Sequence, residues 1–287
     1  MFKSNATHVS TGAKITKATR IYIVRLSVLV LGCFSAWINL TYASIDVEKI
    51  REKAEQGQPD AQATLGVIYL EGNGLAQDTA QGFAWILKAA EQGQADAQYI
   101  WGQRYAQGIG VSQDFKQASS WFQKAAEQGQ REAQYSLGAL YDSGLGVIGS
   151  KQTAFFWFRK AAEQGHAEAQ YNLGIGSLEG IGTSQNFDEA FMWLKKSADQ
   201  NLALAQHNLG FLYDDGAIIP QDYKLANFWY EKAARQGLAN SQYNLALNYL
   251  NGNGVQKDEA QAKLWLRKAE AQGHTQAQNT LRELALQ

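Results

Sequence analysis

Cysteine is almost missing from this chain: Cys33 is the only one among 287 residues. The rest can hold no internal disulfide. The count does not identify a compartment, because helical repeats do without disulfides. Proline is scarce too, with two in the chain, while 45% of the residues are hydrophobic. That balance, with no low-complexity stretch, describes a core-forming chain and excludes a disordered one. His-Glu-x-x-His, a phosphate-binding glycine loop and Gly-x-Ser-x-Gly are all absent. With them go the motifs of metalloproteases, nucleotide binding and serine hydrolases.

Acidic residues are missing from the start. Lys3, Lys14, Lys17, Arg20 and Arg25 all precede the first acid, Asp46. Setting residues 1–43 aside leaves 21 of the 26 basic side chains against 27 acidic ones, a net charge of −6. Phosphate binding needs a concentrated basic surface, so nucleic acid is not the expected partner.

The basic start runs into an apolar stretch from Leu26 to Trp37, and Thr41-Tyr42-Ala43 then offers small residues ahead of Ser44. Basic region, apolar core and small-residue exit form the pattern of a secretory signal. Two other readings stay open. Leu26 to Ala43 is just long enough for an uncleaved membrane anchor. Val30-Leu31-Gly32-Cys33 resembles a bacterial lipobox, with Cys33 as the lipidated residue. Each makes the chain exported: periplasmic, secreted or anchored. A membrane is met only through this segment.

What fills the remainder is repetition. Gly57, Gly93, Gly129, Gly165, Gly237 and Gly273 lie on a 36-residue grid, with Asn201 at the remaining node. Trp85, Trp121, Trp157, Trp193, Trp229 and Trp265 share that period, as do Gln62, Gln98, Gln134, Gln170, Gln206, Gln242 and Gln278. A fixed period of this size means a solenoid of one repeated unit, each copy packing on its neighbours.

Asp96 to Arg131 shows one unit. Ala97, Trp101 and Tyr105 share a helix face, and Gly102 invites a close helix neighbour. Gly108-Ile109-Gly110 breaks that helix, and Asp114 is placed to cap the next. Ala118, Trp121, Phe122, Ala125 and Ala126 then make an amphipathic face, and Gly129 stops it with positive φ. The unit is helix, loop, helix, tight turn. Asp78, Asp222 and Asp258 repeat the cap, with Ser150 and Asn186 as substitutes. The grid tryptophans read as core. Lys88–Glu91, Lys124–Glu127 and Lys160–Glu163 read as i,i+3 ion pairs worth about 0.2–0.5 kcal/mol each at most.

The fourth and fifth units are the least regular: Ser177 replaces a tyrosine, and Ala217-Ile218-Ile219-Pro220 replaces a Gly-x-Gly ending. The organisation expected is a signal or anchor at 1–43, a capping half-repeat at 44–59, six repeats at 60–275 and a capping helix at 276–287.

Ala-Gln-Tyr-Asn-Leu-Gly, followed by spaced glycines to Gly182 and then by Ala190, Trp193 and Lys196, resembles the Sel1-like repeat, a longer-looped relative of the tetratricopeptide repeat. The resemblance implies an all-α, right-handed α-solenoid whose first helices line a concave groove for a peptide or protein segment. By that analogy Tyr99, Tyr135, Tyr171, His207 and Tyr243 face the groove, followed one turn on by Gln103, Ala139, Ile175, Phe211 and Leu247. Tyr171, His207 and Phe211 are its expected centre. The same tyrosines also suit simple packing between first helices.

The resemblance implies a non-enzymatic scaffold with a protein partner and no cofactor, acting in envelope regulation or host contact. The alternative is a cell-wall or β-lactam-interacting hydrolase, which requires a serine or cysteine paired with a base. His166 and His274 share a slot three units apart, too far for a common metal.

Overall fold

The computed structural model describes residues 46–286. The segment read as a signal, anchor or lipobox lies outside the described residues. Among those described there are fourteen helices and no strand, in an all-α solenoid of 36-residue helix–loop–helix repeats. The chain divides into two compact units, one ending at Trp157 and one beginning at Phe158. The first holds α1 (Val47–Glu55), α2 (Pro59–Glu71), α3 (Thr79–Glu91), α4 (Ala95–Gln107), α5 (Phe115–Glu127), α6 (Arg131–Ser143) and the start of α7 (Lys151–Glu163). The second holds the rest of α7, then α8 (Ala167–Glu179), α9 (Phe187–Asp199), α10 (Ala203–Asp215), α11 (Tyr223–Arg235), α12 (Ala239–Asn251), α13 (Glu259–Glu270) and α14 (Thr275–Ala285).

Each second helix starts on a side chain that accepts from a free backbone N–H. Asp78 accepts from Gln81 at 2.9 Å and Asp114 from Lys116 and Gln117 at 2.9 and 3.0 Å. Ser150 and Asn186 do the same at 3.2 and 3.1 Å, as interchangeable caps should. The N–H of each capping residue donates to the carbonyl of Tyr69, Tyr105, Tyr141, Ser177, Tyr213 or Tyr249, at 2.8–3.0 Å. The loop is tied there by backbone alone, so Ser177 can occupy the tyrosine slot without undoing the turn. In the fifth repeat Gly216 still ends the helix with φ +72°, and Ile218 and Ile219 fold back onto the core around Trp229.

The tight turns are left-handed at one residue. Gly129 has φ +89° and Asn201 φ +70°. A Cβ on Gly129 would meet nothing within 4 Å. Conformation alone selects the residue, and asparagine tolerates that conformation better than other side chains. Gly102 is different, because a Cβ there would stand 2.6 Å from the Phe122 ring. Its absence lets α4 settle on α5. Ala118, Ala190, Ala226 and Ala262, one per second helix, are wholly buried.

Of the grid tryptophans, Trp193, Trp229 and Trp265 are buried and Trp85 and Trp121 half-buried. Lys88 lies 4.0 Å over the Trp85 ring and Lys124 4.1 Å over Trp121. This corrects the ion pairs expected with Glu91 and Glu127. The indole offers a partly desolvated π face one turn back, whereas both glutamates are exposed, where an ion pair gains little. Glu127 instead accepts from Gln123 at 2.8 Å.

The grid glutamines form a ladder. Gln98 on α4 donates its side-chain amide to the Ala90 carbonyl near the end of α3 at 3.1 Å. It accepts from Gln128, at the end of α5, at 2.8 Å. Gln62 makes the same two bonds, to Ala54 and from Gln92, at 3.1 and 2.6 Å. In the second unit Gln170, Gln206 and Gln242 repeat the pattern with Ala162, Ala198 and Ala234. Each satisfies a last-turn carbonyl that the helix leaves open, and joins two successive second helices through the first helix between them.

Candidate functional site on the first helices

In the first unit Tyr99 and Gln103 lie on α4 and Tyr135 and Ala139 on α6, all half-buried. Gln103 Nε2 donates to Tyr99 Oη at 2.6 Å, and the Tyr99 ring meets Phe122 at 5.7 Å.

In the second unit the tyrosine slot is mostly spent on packing. Tyr171 on α8 is 7% exposed, and its Oη accepts from Asn208 Nδ2 on α10 at 3.3 Å. Burial pushes its hydroxyl up to about 12. His207 on α10 turns its ring to Tyr230 at 5.7 Å, and its Nδ1 lies 2.8 Å from Ser241 Oγ on α12. Removal from water pushes that imidazole down to about 4. Tyr243 stacks on His274 at 4.7 Å. The residues one turn on are more open: Ile175 and Leu247 are half-buried, and Phe211 is 40% exposed. Of the three residues expected at the groove centre, Phe211 alone presents a large exposed apolar surface.

Beside Phe211 lies a polar cluster whose members the sequence alone does not bring together. Asn248 Nδ2 on α12 donates to Asp214 Oδ1 on α10 at 3.2 Å and to Asn227 Oδ1 on α11 at 2.8 Å. Asn227 Nδ2 donates to the Asn253 carbonyl at 2.6 Å. Tyr230 is wholly buried, and its hydroxyl has no hydrogen-bond partner of good geometry, although the Asn244 amide is close enough to act on it. Burial raises the Asp214 carboxyl. The same effect, reinforced by the Asp214 charge, raises the Tyr230 hydroxyl further above its usual range. A signal was available. These residues stand in slots that hold Ala106, Leu140, Ser119 and Phe122 three repeats earlier, and Ser241 stands in the slot of Ala133.

Charge follows the same division. Helices α8, α10 and α12 carry Glu168, Glu179, Asp214 and Asp215 and no lysine or arginine. On the second helices, Met192, Phe228 and Leu264 share one slot, and all three are exposed. His166 and His274 are helix caps, their Nδ1 atoms accepting from Ala169 and Ala277 at 3.3 and 3.2 Å. Among the described residues no group of three or more His, Cys, Asp and Glu side chains could hold a metal, and no helix is long and apolar enough to cross a membrane.

A family model described as Sel1 repeat matches residues 59–94, 95–130, 131–166, 167–202, 203–238 and 239–274. The chain is 36% identical over 64 residues to the secretory immunoglobulin A-binding protein EsiB of Escherichia coli, a match covering 22% of this chain and 13% of that protein. A protective antigen of uropathogenic Escherichia coli that displays an SLR fold is similar in structure, with 36% identity, a TM-score of 0.76, and 82% of this chain and 50% of that chain covered. The chain therefore spans half or less of these two relatives. A Sel1 repeat protein from Oxalobacter formigenes is similar at 36% identity and a TM-score of 0.70, over 82% of this chain and 68% of that one.

Proposed function

The chain belongs to the Sel1 repeat family, and from that premise we propose that it is an exported interaction scaffold. It takes a protein or peptide segment in a groove along the first helices, centred in the second unit on Phe211. The observation that carries this reading is an exposed aromatic at a slot whose neighbours on α8 and α12, Ile175 and Leu247, are also apolar. Exposed aromatics ringed by polar groups mark binding surfaces, and aromatic anchors dominate their energy. Tyr99, Gln103, Tyr135 and Tyr243 extend the wall in each unit, while Tyr171 and His207 support it from within. One relative is named for binding an immunoglobulin and another is a protective antigen. These names favour contact with a host protein over envelope regulation.

A photo-crosslinking side chain placed at position 211, in cells expressing the chain from its own start, should capture a protein outside the cytoplasm. Leu247→Ser should weaken that capture. Capture from position 228 but not from 211 would move docking to the second helices and end this reading.

The hydrolase alternative has one observation in its favour, the contact between His207 and Ser241. Ser241 is wholly buried, so no substrate reaches its hydroxyl. A fluorescent penicillin should leave the folded protein unlabelled, and covalent label on Ser241 would restore the enzyme reading.

A further inference from the structure

The Asp214 carboxylate is half-buried and accepts from one side-chain donor, the Asn248 amide. No cation pairs with it among the described residues, and helices α8, α10 and α12 carry no lysine or arginine. Beneath it, within reach of the Asp214 and Asp215 charges, lies the wholly buried hydroxyl of Tyr230, which has no hydrogen-bond partner of good geometry. Buried polar groups are normally paired, and a desolvated carboxylate is costly without a counter-charge. Phe211, three residues before Asp214 on the same face of α10, offers an exposed ring at the height where a cation would approach. A bare divalent ion is poorly served here, because no third carboxylate, histidine or cysteine completes a ligand set.

We propose that the occupant of this face is a cationic, apolar peptide segment, with an arginine or lysine side chain seated on Asp214 and over the Phe211 ring. The inference rests on the groove reading above and adds the chemistry of the partner. A guanidinium donates to the carboxylate while lying on the face of the Phe211 ring, which supplies the counter-charge that the free protein lacks there. Leucine-like neighbours of that side chain then cover Ile175 and Leu247.

The test uses the full chain and three short labelled peptides, of leucine alternating with arginine, with glutamate or with serine, titrated by fluorescence anisotropy. The arginine peptide should bind about ten-fold or more tightly than the serine peptide, as one charge-assisted contact allows. Asp214→Asn keeps the shape of the side chain and should erase that advantage. Tyr230→Phe, a substitution beneath the surface, should leave the arginine advantage intact with the melting temperature unchanged or raised, since it deletes an unpaired buried hydroxyl. Three results overturn the inference: equal binding of the arginine and serine peptides, no binding of any, or an arginine advantage that survives Asp214→Asn. Phe211→Ala separates the two claims. If it weakens the arginine and serine peptides alike while Asp214→Asn does nothing, the groove stands and the cation seat falls. If it has no effect either, both fall.

Discussion

In the first unit the Phe122 ring lies 5.7 Å from Tyr99, and a Cβ on Gly102 would stand 2.6 Å from it. Three repeats later the Tyr230 ring lies 5.7 Å from His207, and a Cβ on Gly210 would stand 2.7 Å from it. The backbone frame is the same in both places, and the chemistry inside it is not. Ala106, Ala133 and Leu140 give way to Asp214, Ser241 and Asn248, all within the helices. Repetition fixes the distances first, and side chains of different chemistry then exchange within them. A polar set that is only partly satisfied lowers stability, each orphaned group by about 1–3 kcal/mol. Local rules broken in this way are most often broken at functional sites.

The largest effect should come from emptying the shared slot. Phe122→Ala should cost about 3–5 kcal/mol in denaturant unfolding. Tyr230→Ala should cost about 1–2 kcal/mol less, because it also removes a buried hydroxyl that has no partner. Equal losses at the two positions would break the comparison.

Acid should divide them next. The folded-state value of His207 is about 4 against 6.5 when unfolded, so the unfolded chain binds more protons between those values. The stability this residue lends above pH 6.5 is therefore lost as pH falls toward 4, by up to about 3 kcal/mol. Asp214 acts in the opposite sense: its carboxyl is raised by burial, so acidification through its folded value relieves it. Melting temperatures followed from pH 7 to pH 4 should fall more steeply in the natural chain than in His207→Tyr, which restores the residue found at Tyr99. Parallel curves would mean that the His207 imidazole does not carry the acid sensitivity.

The smallest effect sharpens the comparison at the turns, where Gly129 and Asn201 hold the same left-handed conformation. Gly129→Val should cost roughly 1 kcal/mol and Gly129→Asn only a few tenths. Equal shifts in melting temperature would show that something other than φ selects the residue there.

The repeat itself was legible because its signals are local and recur. Stop glycines, capping Asp, Ser and Asn, and apolar spacing each set their own turn of chain, and six copies average out the exceptions. The site was legible only in outline. Tyr171 and Phe211 lie on the same kind of helix face, yet one is enclosed by Asn208 and the other is open. That difference depends on side chains about one repeat away. The Asp214–Asn248 contact joins residues 34 positions apart, and each residue alone reads as an ordinary polar residue near a helix end. Only a slot-by-slot comparison across three repeats singles them out.

The glutamine ladder has a bearing on how such a chain changes length. Within each unit, the first helices α2, α4, α8, α10 and α12 each present one amide that reaches back to the carbonyl of the helix before it and forward to a glutamine at the end of the helix after it. The two ends of the joint are complementary to each other and identical from copy to copy. A duplicated or deleted block of 36 residues, or a multiple of it, therefore meets a matching connector on either side, whereas a block of another length leaves a carbonyl and an amide facing nothing. Growth and shrinkage proceed in whole modules, and the reach of the scaffold can be altered by recombination without a new joint having to arise.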